Sequence, residues 1–255
     1  MRKAILFVLC VIILLPTQGC NKGTGLSSES YPTKSNELES ETNYTTKSLA
    51  TPMPSVPSIP SPTPLNIPKI NCTSDKDNDG INDLDDIVEG ARKDAQNMPV
   101  YKSEYYRGGY PPDSEGVCTD VIWRAFKNAG YNLKVMVDKD IKNNKRQYPA
   151  VEKKPDPNID FRRVRNLRVF FNKYADKLSL EIRPNDIKNL QEWQGGDIIT
   201  FSSPEHIAIV SDKRRADGIP YLIHNAGPYT MEVDNLMNWI STISGHFRFP
   251  ASEDR

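Results

Sequence analysis

Hydrophobic positions fall into three regimes along this chain. Behind Arg2 and Lys3 they form an unbroken run from Ala4 to Leu15, closed by Pro16. Between residues 21 and 70 they thin out among Ser, Thr and Pro. Beyond that they recur with the periods of regular structure. Leu84, Ile87, Val88 and Ala91 share one face at helical spacing, as do Val121, Ile122, Ala125, Phe126 and Ala129, a run that opens at Cys118 and stops at Gly130. Two β-rich runs, Gly195–Phe201 and His206–Val210, flank the short Ser202–Glu205 segment and predict a hairpin. Tyr221–Asn225 predicts a third strand after Gly218. The expected body is α+β, with helices packed on a small antiparallel sheet.

The first regime has the parts of a secretory signal peptide over residues 1–19: a charged start, a short apolar core and a small residue before the cut. Its apolar run falls short of the roughly 20 residues that span a bilayer. Gly19-Cys20 resembles a bacterial lipoprotein cleavage site, although Thr17 and Gln18 stand where that pattern prefers Leu and a small residue. The expectation is an exported protein anchored to a membrane by a lipid on Cys20. Residues 20–70 hold only two aromatics, Tyr31 and Tyr44, and seven of the chain's 20 Pro lie within 51–70. Such a stretch buries too little apolar surface to offset its ordering entropy, which predicts a disordered tether. Residues 71–98 then read as a junction and 99–255 as the globular body. Across the chain 33 basic residues balance 33 acidic ones, so the phosphate attraction that nucleic-acid binding rests on is missing, and nucleic acid is excluded as a partner.

The junction opens with Asp75-Lys76-Asp77-Asn78-Asp79-Gly80-Ile81-Asn82-Asp83-Leu84-Asp85-Asp86. Carboxylates at Asp75, Asp77, Asp79, Asp83 and Asp86, the Ile81 main-chain carbonyl and a Gly at the sixth position suit a calcium ion, which takes hard oxygen ligands around a sharp turn. The loop departs from an EF-hand in three ways. Asp86 replaces the usual Glu, Asn82 stands where an apolar residue is normal, and a Pro-rich approach replaces the entering helix. It looks more like the single calcium repeats of thrombospondin type 3 or dockerin modules. The expected role is structural, stiffening the junction. The competing reading is a solvated acidic turn that caps the helix after it.

Two Cys remain once Cys10 falls in the signal peptide and Cys20 is taken as the lipid site: Cys72 and Cys118, either a disulfide pair or a functional Cys118 beside an incidental Cys72. Cys118 sits at a predicted helix start, where main-chain amides and the helix dipole favour the nucleophilic thiolate and can hold an oxyanion. If the three strands are neighbours, His206 and His224 face one site, with His206 as base and His224 orienting it through a ring nitrogen. Asn225 competes for the orienting role, but strand alternation points it to the opposite face. A Cys and two His are each more often packing residues when taken singly.

These residues also carry a resemblance. The Cys118–Leu133 segment, Trp193-Gln194-Gly195-Gly196-Asp197-Ile198, His206-Ile207-Ala208-Ile209-Val210 and Ile223-His224 look like the Cys helix and following strands of NlpC-type, papain-like cell-wall cysteine peptidases. Gly109-Tyr110-Pro111, Gly116-Val117-Cys118-Thr119-Asp120-Val121, Pro155-Asp156-Pro157-Asn158-Ile159-Asp160, Arg162-Arg163-Val164, Asn166-Leu167 and Gly245-His246-Phe247-Arg248-Phe249 resemble more closely a bacterial family defined only as domain of unknown function 1287. The resemblance implies a papain-like fold, a catalytic set of Cys118, His206 and His224, a peptidoglycan stem peptide as substrate, and Tyr110, Arg162, Arg163 and Asn225 on the substrate side. Phe161 stands where that family usually has His. Arg162 and Arg163 are suited either to clamping peptide carboxylates or to bracing an irregular loop through Asp156, Asp160 or Asp120. Two other functions compete with amide hydrolysis: a non-catalytic peptidoglycan-binding module and a calcium-dependent scaffold lipoprotein.

Overall fold

The computed structural model describes residues 65–151 and 153–252. The expected signal peptide, the lipidated Cys20 and the tether up to residue 64 lie outside the described residues. Asn82 accepts the Asp85 N–H at 3.1 Å and so caps α1 (Asp83–Asn97), which explains a polar residue where the calcium pattern prefers an apolar one. The chain then forms β1 (Val100–Tyr101), β2 (Glu115–Gly116), α2 (Cys118–Asn128), α3 (Leu133–Asn144), α4 (Val164–Tyr174), β3 (Asp176–Lys177) and the single-turn α5 (Ile187–Leu190). The strands β4 (Ile198–Phe201), β5 (His206–Arg214), β6 (Pro220–Asn225), β7 (Thr230–Val233) and β8 (Ile243–Arg248) complete it. None of these helices is long and apolar enough to cross a membrane.

β3 and β4–β8 build one antiparallel sheet in the order β3-β8-β4-β5-β6-β7. Its strands alternate between two apolar layers, as period-2 geometry requires. Ile198, Ile207, Ile209, Ile223 and Phe247 meet Ile87, Val121, Ile122, Phe126 and Phe171 from the helices. Ile199, Phe201, Ala208, Val210 and Leu222 meet Leu190, Trp193, Ile219 and Leu236 on the other side. The molecule is therefore a mixed α/β body built on a small antiparallel sheet.

Two expected boundaries shift. Leu65 and Ile67, placed in the tether, pack on the second apolar layer, and the Pro68 carbonyl accepts from Gln194 Nε2 at 3.1 Å. A short apolar pair next to a strand-covered face gains enough burial to dock, which composition averaged over fifty residues hides. The division at residue 98 also fails. α1 buries Ile87, Val88 and Ala91 completely or nearly so in the main core, so it is part of the body rather than a junction outside it. Cys72 and Cys118 are both free thiols.

Candidate active site

Helix α2 presents Cys118 as its first residue, and a buried carboxylate fixes that end. Asp120 is fully buried and accepts the Val117 N–H at 2.8 Å, so the backbone ahead of Cys118 is tied to the helix it precedes. The same carboxylate takes Arg162 in a two-pronged pair, Nε to Oδ1 at 2.7 Å and Nη2 to Oδ2 at 2.8 Å, and accepts Trp123 Nε1 at 2.8 Å. Thr119 Oγ1 donates to the Arg162 carbonyl at 3.1 Å. Arg162 is 6% exposed and committed, its Nη1 going to the Glu104 carbonyl at 2.8 Å, so it braces the Cys118 turn and does not clamp a substrate carboxylate. Arg163 reaches Asp160 at 3.5 Å and the Ala150 carbonyl, again within its own loop. Among the described residues the brace reading, with Asp120 as partner of Arg162, replaces the clamp.

The sulfur meets the sheet where two strands part. β5 and β6 pair at Ile209↔Ile223 and Val210↔Leu222, and that ladder stops short of the His206 end. There the Ile207 main-chain N–H faces the Cys118 sulfur and favours its charged form, one residue from His206. Asn225, at the end of β6, donates to the Pro99 carbonyl at 3.0 Å and the Gly116 carbonyl at 3.3 Å. It anchors the strand leading to Cys118 and lies on the helix side of the sheet, as strand alternation predicts, so it does not orient a histidine.

His206 and His224 alternate with Ile207 and Ile223, so they lie on the second face of the sheet, with ring centroids 4.9 Å apart and planes at 86°. No hydrogen bond links them. His224 Nε2 pairs with Asn235 Nδ2 at 3.1 Å, and His206 is held by stacking on Trp239, centroids 4.6 Å apart at 25°. The expected His224-to-His206 hydrogen bond is thus replaced by an edge-to-face contact under an indole lid. Trp239 also lies edge-on to His224 at 4.9 Å. Asn235 and Trp239 come from the segment around the Leu236–Asn238 turn, and nothing in their spacing marked them as site residues. Four buried polar atoms in this one place have no hydrogen-bond partner: His206 Nε2, His224 Nδ1, Asn235 Oδ1 and Trp239 Nε1.

Burial governs the titration. It pushes the Cys118 thiol up to about 11, with the Asp120 charge adding to it, against the opposing N–H groups of Ile207, Thr119 and Cys118 itself. Desolvation of the sulfur outweighs the helix start, so Cys118 rests as a thiol and not as the thiolate expected from position alone. Burial lowers His206 to about 3, helped by the His224 charge, and lowers His224 to about 4, opposed by the Asn235 hydrogen bond. At neutral pH Cys118 is a thiol and both imidazoles are neutral; the sulfur packs with Ile207 on the helix side of the sheet, and the two rings lie with Trp239 on the other face.

Tyr110 is 41% exposed and meets Trp123 at 4.7 Å and Phe161 at 5.5 Å. With Trp123, Lys127 and Tyr131 it lines a cavity of about 510 Å³ on the far side of α2. Phe161 is fully buried beneath Gly109, so an apolar ring here packs a turn and contacts neither histidine.

In the acidic loop, single oxygens of Asp75, Asp77 and Asp79 lie within 4.8 Å of one another. Asp86 is pushed up to about 6 by burial and then by Asp79, Asp77, Asp83 and Asp75. Asp83, expected as a ligand, is fully buried and engaged: Oδ1 accepts the Lys76 N–H at 2.8 Å, and Oδ2 accepts from Tyr131 at 2.5 Å and from Ser74.

Comparison with known proteins agrees with the motif reading at the level of family. "Uncharacterized protein YijF" of Escherichia coli (strain K12) is 38% identical over 172 residues, which cover 64% of this chain and 80% of that protein. No solved structure matches. The model of the family described as "Domain of unknown function (DUF1287)" matches residues 88–249, a span holding the Cys118 turn, its Arg162 brace, His206, His224 and Trp239, and the chain belongs to that family.

Proposed function

We propose that this protein is an exported, lipid-anchored cysteine amidase or peptidase that hydrolyses an amide bond in peptidoglycan stem peptides, on a papain-like scaffold. The observation that carries the reading is the meeting of a helix-start cysteine with a strand that begins at a neutral histidine, at a point where the sheet opens. In the reaction Cys118 Sγ attacks the scissile carbonyl carbon while its proton passes to His206, which is neutral at rest; burial disfavours the imidazolium, so the transfer needs bound substrate or water to solvate that ring. The Cys118 N–H at the start of α2 donates to the developing oxyanion. His206 then gives the proton to the departing amine as the C–N bond breaks. Water, deprotonated by His206, cleaves the thioester and restores the thiol. His224 stays neutral beside His206, so the imidazolium forms without a like charge next to it.

The test is mass spectrometry of material released from bacterial sacculi by the full chain in detergent, beside Cys118→Ser. Products that need Cys118 support hydrolysis, and their masses name the bond. A second reading, a peptidoglycan-binding module without turnover, is favoured by the raised thiol and by the stacking of Trp239 over His206. It predicts retention on sacculi by both proteins and no release by either.

A further inference from the structure

We propose that the Asp75–Asp86 loop binds one calcium ion through the carboxylates of Asp75, Asp77, Asp79 and Asp86 and the Ile81 carbonyl, and that the ion fastens α1 to the far end of the cysteine helix. This is independent of the amide-hydrolysis reading. Oxygens bound to calcium at about 2.3–2.6 Å stand at most about 5 Å apart. The 4.8 Å within which the Asp75, Asp77 and Asp79 oxygens gather meets that limit before any ion draws them in.

The second observation comes from the helix. Asp86 is 4% exposed, and its Oδ2 has no hydrogen-bond partner. Its Oδ1 is reached only by Asn128 Nδ2, at 3.5 Å. Asn128, which contacts Asp86, stands two residues before Gly130, which is close-packed on Asp77, so Asp86 lies on the loop side of α1. Burying a carboxylate among carboxylates with an open lone pair is costly unless a cation completes the set. No Lys or Arg among the described residues pairs with any of these four Asp, whereas Asp85 beside them takes Lys69 at 2.9 Å. An all-oxygen set of this kind suits calcium better than magnesium, which demands a smaller and near-octahedral shell.

The loop is placed to act on α2. The Asp86 carbonyl accepts Asn128 Nδ2 at 2.8 Å, just beyond which Gly130 is close-packed on Asp77. Asp83, freed from ligation, holds Tyr131 instead. A bound ion would therefore fix both ends of the contact between α1 and the C-terminal end of α2. The loop precedes residues 88–249, so the device is an addition beside the family's matched span.

The experiment uses the full chain in detergent, stripped with chelator, then titrated with CaCl2 by calorimetry and with terbium(III) by luminescence excited through its Tyr side chains. The expected result is one saturable site with a dissociation constant on the order of 10⁻⁴ M, displacement of terbium by calcium, and a thermal midpoint several degrees higher in calcium than in chelator. Asp79→Asn, at an exposed position, should weaken binding at least tenfold with the fold intact. Asp86→Asn should abolish the calcium-dependent shift while raising the midpoint in chelator, because it removes the buried repulsion. No saturable site, or calcium binding unchanged in Asp86→Asn, overturns the proposal. Magnesium competing at equal concentration overturns the assignment to calcium.

Discussion

Two buried polar clusters flank the cysteine, and they differ in one respect. Asp120 and Arg162 are themselves fully engaged: the carboxylate takes Val117, Trp123 and both prongs of the guanidinium, whose third nitrogen goes to the Glu104 carbonyl. Around His206 and His224 four polar atoms have no partner at all. A fully satisfied buried network holds a backbone in one arrangement, whereas an unsatisfied one stores a preference for a ligand that can complete it. The first cluster therefore reads as the frame of the Cys118 turn, and the second keeps polar capacity that its own neighbours leave unused. Arginine, the residue type most suited to gripping a substrate carboxylate, went to the frame.

The sharpest way to break this contrast is Cys118→Ser, which should remove all product release from sacculi and leave the denaturation midpoint within the small change expected for a half-buried thiol. Release surviving this substitution would take the cysteine out of the chemistry. Asp120→Ala strands a buried guanidinium and should cost about 3–5 kcal/mol in chemical denaturation. A loss under 1 kcal/mol would show that the pair is not the frame. Trp239→Ala uncovers the histidines, and we expect the His206 titration, followed by NMR, to move from about 3 toward the ordinary imidazole value as water enters. A His206 curve that stays put would mean that other groups exclude the water.

The histidine pair also sets a pH dependence. Their folded values of about 3 and about 4 lie below the ordinary 6.5, so the unfolded chain binds more protons in that window. The contribution is fully present above about pH 6.5 and is lost as pH falls toward 3. Asp86, raised to about 6, works in the opposite sense over part of the same range, so the comparison is wild type against His206→Gln/His224→Gln, both in chelator. Wild type should lose more stability between pH 6.5 and 4, and parallel curves would sink the assignment. The smallest effect belongs to the surface: Glu205→Gln, which breaks an exposed pair with Arg165 at 2.6 Å next to His206, should change stability by under about 1 kcal/mol.

Local pattern and tertiary arrangement divide these results. The helix opening at Cys118, the hairpin from β4 to β5 and the neighbouring strand with His224 follow from periodicity and turn signals, because burial on one face imposes a period of 3.6 or 2 wherever it acts. The acidic loop is legible for the same reason: its ligands are close in sequence. Asp120 as the partner of Arg162 was one of three candidates, and only packing selected it, since a pair 42 residues apart leaves no periodic trace. Asn235 and Trp239 left no local signal. They reach the histidines because a turn folds over the second face of the sheet, and long-range placement of that kind is decided by which surfaces the whole body must cover.

The sequence by itself determined where regular structure begins and ends and which residue types could do chemistry. Only the tertiary structure decided their state. Helix position favours a thiolate and an unperturbed histidine accepts protons near neutrality, yet burial pushes the thiol to about 11 and the imidazoles to about 3 and 4. Desolvation depends on everything packed around a group, and that surrounding is assembled from residues far apart in the chain.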